Sequence, residues 1–103
     1  MNIELETGKI CTFKLNSGEE MIARVTDHSS NSNWITIQDP VSIAPGPQGM
    51  GLVPSMFTAD MDHLVQLNIN SVALVAETDG TVSAKYIEAT TGIRVPDKRI
   101  VMG

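Results

Sequence analysis

The sequence predicts a small, mainly β fold: five antiparallel strands in meander order, strongly bent into a barrel, with one C-terminal helix. Three observations predict it. Short runs from residue 10 to residue 75 alternate apolar and polar residues with period two, the mark of half-buried strands. Clusters of Gly, Pro, Asn, Asp and Ser punctuate those runs. After Asp79 the pattern changes to a helical one. A chain with this many short strands hides its edges by curling.

Ile10–Leu15 alternates, with Cys11, Phe13 and Leu15 on one face and Thr12 and Lys14 on the other. Asn16-Ser17-Gly18 supplies a turn, with Gly18 free to take positive φ. Met21, Ala23 and Val25 then alternate with Glu20, Ile22 and Arg24, completing a hairpin. Residues 27–33, DHSSNSN, are polar and turn-rich and read as a loop. Trp34–Gln38 is a third strand, rich in β-branched residues. Pro40 lacks the N–H a ladder needs, so a bend, bulge or edge is expected there before Val41-Ser42-Ile43 resumes. With two prolines and three glycines in residues 44–51, no ordered element is expected. Leu52–Phe57 is apolar but broken by Pro54, and fits either an irregular strand or a helical turn. His63–Ile69 is a fourth strand, Asn70-Ser71 a break, and Val72–Val75 a short fifth strand. Asp79 is a candidate N-cap for a helix over about residues 80–91. Val82, Tyr86, Ile87 and Ala89 form its apolar face and Gly92 its C-cap. Residues 93–103 form a mixed tail. The length, 103 residues, suits one domain over 1–103, with the barrel at about 9–77.

Net charge is −5, and Lys98-Arg99 is the one adjacent basic pair. Without a basic stripe, a partner held mainly by its phosphates is disfavoured, and recognition of nucleic acid must use base edges and neutral hydrogen bonders or gather charge by oligomerisation. Phe13, Trp34, Phe57 and Tyr86 are the only aromatic residues, so Val, Ile, Leu and the six methionines must fill a thin core. Burial between subunits is a natural supplement. Cys11 is alone, which fits a reducing compartment. The longest apolar stretch, Val72–Ala76, is far too short to span a bilayer. The N-terminus lacks the layout of a signal peptide, so a cytoplasmic protein with no membrane partner is expected.

No enzyme is expected. There is no nucleophile elbow and no histidine pair at metal spacing, and Cys11 lies within an apolar strand. Gly46–Gly51 lacks the Lys and Ser/Thr of a phosphate-binding loop, and reads as a hairpin tip. Asp60-Met61-Asp62-His63 offers three potential ligands in four residues. Successive strand residues point apart, so neither a metal nor any other cofactor is expected.

The stretch from Phe13 to Asp39 resembles the first motif of the Sm and LSm family. The turn glycine is Gly18, the apolar-small-apolar run is Met21, Ala23 and Val25, and the loop asparagine is Asn33. Ile35 and Ile37 then form the third strand, with Asp39 at its acidic end. Ile69-Asn70-Ser71-Val72-Ala73-Leu74 resembles the second motif, with Asn70 and Ser71 where the family has Arg and Gly. Ser29 stands at the loop aspartate and Ser32 at the bulky stacking residue. Only nine residues precede the first strand, which leaves little room for the usual N-terminal helix. The long Pro-Gly stretch, the acidity and the C-terminal helix look most like phage-encoded Sm-like chains.

The resemblance implies a closed homo-oligomeric ring of roughly five to seven copies, the fourth strand of one subunit pairing with the fifth of the next. It also implies single-stranded RNA held by loop residues near the pore. Carried over by position, the RNA-binding candidates are Asn33, Asn70 and Ser71, with His28 secondary. Asn reads a base edge through its carbonyl and amide together, without positive charge. His28 and Trp34 flank the same loop, although a Trp opening an apolar strand is more often a packing or interface residue. The alternative is a structural or protein-adaptor ring without nucleic acid.

Overall fold

The computed structural model describes residues 5–29, 31–60 and 62–93. Six strands, a 3-10 turn and one helix follow in order: β1 Ile10–Leu15, β2 Glu20–His28, β3 Trp34–Gly46, β4 Gly49–Pro54, β5 Val65–Asn68, the 3-10 turn Ile69–Ser71, β6 Val72–Glu77 and α1 Gly80–Ile93. The sheet is antiparallel, in the order β4-β3-β2-β1-β6, with β5 also on β3.

The β1–β2 hairpin forms as expected, with Phe13 opposite Met21 and Cys11 opposite Ala23. Gly18 takes the left-handed conformation at φ 96°, which its missing Cβ makes cheap. The inward faces of β1, β2 and the first half of β3 make the main core: Cys11, Phe13, Met21, Ala23, Val25, Ile35 and Ile37, joined by Leu67, Ile69 and Val72.

A single bulge then divides β3. Arg24 pairs with Gln38 but Ile22 with Val41, so β3 carries one extra residue at Asp39-Pro40. Asp39 accommodates it at φ 52°, a conformation Asp tolerates better than most residues. Because side chains alternate with period two, that extra residue moves Val41 and Ile43 to the opposite face from Ile35 and Ile37. There they meet Ile10, Ile22 and Leu52, and α1 covers them with Val82 and Tyr86 to form a second core. Tyr86 seals the bulge. Its hydroxyl accepts from Arg24 N at 3.1 Å and points its proton at the carbonyls of Gln38 and Asp39, at 2.9 and 3.0 Å.

Several expectations need correction. Among the described residues the sheet has six strands and is not closed into a barrel: β5 pairs with β3 and β6 with β1, but not with each other. Residues 44–51 are ordered. β3 runs through Pro45 to Gly46, turns over Pro47-Gln48 and returns as β4, with Gly49 at φ 105° completing the turn. Pro45 lies beyond the last β2 pairing, at Ser42, so its missing N–H breaks no β2–β3 bond. β4 and β5 occupy the same side of β3, opposite its second and first halves, and residues 55–64 are an excursion between them. The fourth strand is thus shorter than His63–Ile69. Asp79 does cap α1, its Oδ2 accepting from Thr81 N at 3.0 Å and Val82 N at 3.3 Å. The helix does not stop at Gly92 but reaches Ile93. Its buried face is narrower than expected: Tyr86 is buried and Val82 partly so, while Ile87 and Ala89 are exposed. The tail beyond residue 93 lies outside the described residues.

No helix among the described residues is long and apolar enough to cross a membrane.

Candidate nucleic-acid interface

The loops carrying the candidate residues converge at one end of the sheet. Trp34 pairs with Asn68 across β3 and β5, and beyond that pair the Asn33 carbonyl accepts from Ile69 N at 2.8 Å. That bond ties the loop before β3 to the turn before β6, and so sets Asn33 beside the turn carrying Asn70 and Ser71.

The turn is built by local side chains. Asn68 Oδ1 accepts from Asn70 N at 2.9 Å, and Ser71 Oγ donates to the Asn68 carbonyl at 2.7 Å. Asn and Ser do this readily because their short polar groups reach their own backbone. The β1–β2 turn braces it from outside. Asn16 Nδ2 donates to the Asn70 carbonyl and Asn16 N to the Ser71 carbonyl, each at 2.8 Å. Asn16 and Asn68 were not singled out from the sequence. Their turn-forming side chains were visible there, but the partners of Asn16 lie more than fifty residues away.

The four expected residues are not equivalent. Asn33 and Asn70 are exposed, and neither side-chain amide has a hydrogen-bond partner among the described residues. Each offers one acceptor and two donor hydrogens to a ligand. The Ser71 proton is engaged in the turn, so this residue shapes the loop and offers only lone pairs. His28 pairs with Ile35, one step from Trp34, and is half-buried. Its Nε2 is buried without a hydrogen-bond partner among the described residues, so that nitrogen is not presented to a ligand. Trp34 is 48% exposed, leaving part of the indole open beside Asn33.

The converging loops themselves carry no charged side chain near Asn33, Asn70 and Ser71, and the nearby β1–β2 turn adds the carboxylate of Glu19. Among the described residues the cations are Lys9, Lys14, Arg24 and Lys85, and none lies in the converging loops. Lys9 sits 3.1 Å from Glu77 and 3.7 Å from Glu6, and the hydrogen bond and charge of Glu77 raise its pKa above the usual lysine value. Lys14 faces Glu20 at 3.9 Å, and Arg24 donates to the Gly8 carbonyl at 3.0 Å.

The acidic stretch before β5 is a turn, not a strand. That lets Asp60 Oδ2 reach His63 Nδ1 at 2.9 Å while Asp60 Oδ1 accepts from Asp62 N. The Asp62 amide is the main reason the Asp60 carboxyl titrates below its usual range. Among the described residues no group of three or more His, Cys, Asp or Glu side chains is placed to hold a metal ion.

A second polar group was missed in the sequence. Ser42, 6% exposed, donates to Glu19 Oε2 and lies 2.8 Å from Ser55 Oγ. Ser42 has one proton and gives it to the carboxylate, so Ser55 is the donor to Ser42.

No known family model matches the chain, and no curated protein matches it.

Proposed function

We propose that the chain is a non-catalytic, Sm-like protein that assembles into a homo-oligomeric ring and binds single-stranded RNA through the neutral loop end, in a nucleic-acid-processing role. One observation carries the reading: two exposed asparagine amides, without partners among the described residues, stand on loops tied together beside a half-exposed indole. Amides of this kind read base edges, and an indole stacks on a base face. Both groups suit unpaired bases, whose edges and faces are accessible.

Assembly is supported by the open edges. Among the described residues β6 pairs only with β1 and β5 only with β3. β6 also presents Leu74 at 69% exposure. A strand with an open apolar edge needs a partner, and head-to-tail pairing of two different edges closes into a ring when the rotation permits.

The test is fluorescence anisotropy with labelled U-rich and A-rich oligoribonucleotides. Wild-type protein should bind at moderate salt, and the double variant Asn33→Ala/Asn70→Ala should not. Undiminished binding by the double variant overturns the site.

A second reading, a protein-adaptor ring without nucleic acid, is favoured by the absence of any described cation from the converging loops. It predicts assembly without RNA binding in the same titration.

A further inference from the structure

A cleft of about 200 Å³ forms a seam between β5 and the β1–β2 turn. Met21, Ile37 and Leu67 of the core line it, and Glu19, Ser55 and Gln66 supply polar groups. Beside it runs β5, whose only strand neighbour among the described residues is β3, so no described strand pairs with Val65–Asn68 along its other edge.

Glu19 gives this cleft its chemical character. The buried Ser42 hydroxyl, itself supported by Ser55, holds the carboxylate in place. No cation among the described residues pairs with it. An apolar cleft with a fixed, unneutralised carboxylate selects a ligand with an apolar body and a cation. An open strand edge selects an extended backbone.

We propose that this seam is a docking site for an extended peptide strand in which a basic residue stands beside an aliphatic or methionine side chain. The peptide main chain adds to the free edge of β5, the apolar side chain enters the cleft, and the cation meets Glu19 in a charge-assisted hydrogen bond. Nucleic acid is disfavoured here because its phosphates would face Glu19. The β6 strand of a second copy, VALVAE, lacks the cation. The proposal goes beyond the RNA reading and does not depend on it. It does compete with ring closure, which would take the same edge.

A matching sequence occurs within the chain itself at Lys98-Arg99-Ile100-Val101-Met102, outside the described residues. A fluorescein-labelled peptide DKRIVMG, copied from residues 97–103, therefore serves as the test ligand. It is titrated into the full chain, with the same peptide bearing glutamate at both basic positions as control. Amide hydrogen exchange at Val65–Asn68 is followed in parallel. The expected result is saturable binding, with the control peptide and the Glu19→Gln variant each weaker by about tenfold or more. Met56→Trp, at a cleft-lining position that is 41% exposed, should also block binding without lowering the melting temperature. Excess peptide should dissociate assemblies into peptide-bound chains. Asn33→Ala/Asn70→Ala should bind the peptide normally, which separates this site from the RNA reading. If the segment of the chain itself already fills the seam, added peptide will not bind, but Glu19→Gln will speed exchange at Val65–Asn68. Equal affinity for both peptides overturns the proposal. So does a fully peptide-bound assembly of unchanged mass, or no binding together with exchange indifferent to Glu19→Gln.

Discussion

Tyr86 shows how much one hydroxyl does in this fold. It answers an amide of β2 and two carbonyls of β3 at the bulge, where the regular ladder cannot. Tyr86→Phe removes the oxygen and leaves buried backbone groups unsatisfied, at an expected cost of about 1–3 kcal/mol. For a chain of this size that lowers the melting temperature by roughly 5–15 °C, measurable by circular dichroism. Cys11 makes a second residue-scale prediction. Burial first, then the charge of Glu77, raises its thiol pKa, so less thiolate is present at any given pH. Its reaction with a disulfide reagent at pH 8 should be slow in the native protein and fast after denaturation. Asn33 and Asn70 are exposed and without partners among the described residues, so their alanine variants should weaken RNA binding by about tenfold each and leave the melting temperature unchanged. That Asn33 and Asn70 lie in turns was legible in the sequence because turn residues advertise themselves locally; their candidacy as RNA contacts came from the resemblance. The partners of Tyr86 were not, because they lie 47 to 62 residues away. The Glu19–Ser42 bond was hidden for the same reason.

Among the elements, most strands were legible because each carries its own period-two pattern. β4 was not. Its residues include Gly49, Gly51 and Pro54, and the run before it is rich in Pro and Gly, so local composition argued for a loop. Pairing along β3 overrides that composition. The bulge was half legible: Pro40 announced a break in the ladder, but not that Val41 and Ile43 would change faces. That consequence depends on the register with β2. The helix was legible through its cap, and Asp79→Ala should cost about 1 kcal/mol in thermal or urea unfolding. Helix width was overestimated because sequence pattern alone does not show that Ile87 stays 44% exposed. At the β6 edge, Leu74→Lys should reduce self-association, since a charged edge resists strand addition. Light scattering after size-exclusion chromatography reads this directly, and an unchanged mass would remove β6 from the interface.

On the scale of the whole molecule, the charge balance was legible from composition, and the open seam was not. Closure depends on how far three register shifts bend the sheet, at Ile22/Arg24, Val25/Asp27 and Lys14/Leu15. No motif encodes that sum. Among the described residues β5 and β6 each keep one unpaired edge, and the converging loops contain no cation. RNA affinity should therefore fall only shallowly with added salt, because few counterions are released when few phosphates are neutralised. As proposed above, this small β protein assembles through its free edges and holds RNA through loops without cations. Native mass spectrometry of the chain mixed with a short U-rich RNA at moderate salt tests it most directly. A multi-copy assembly carrying one RNA strand is the predicted result. A single chain with no RNA bound would contradict both halves of the claim, and an assembly without RNA would contradict the second.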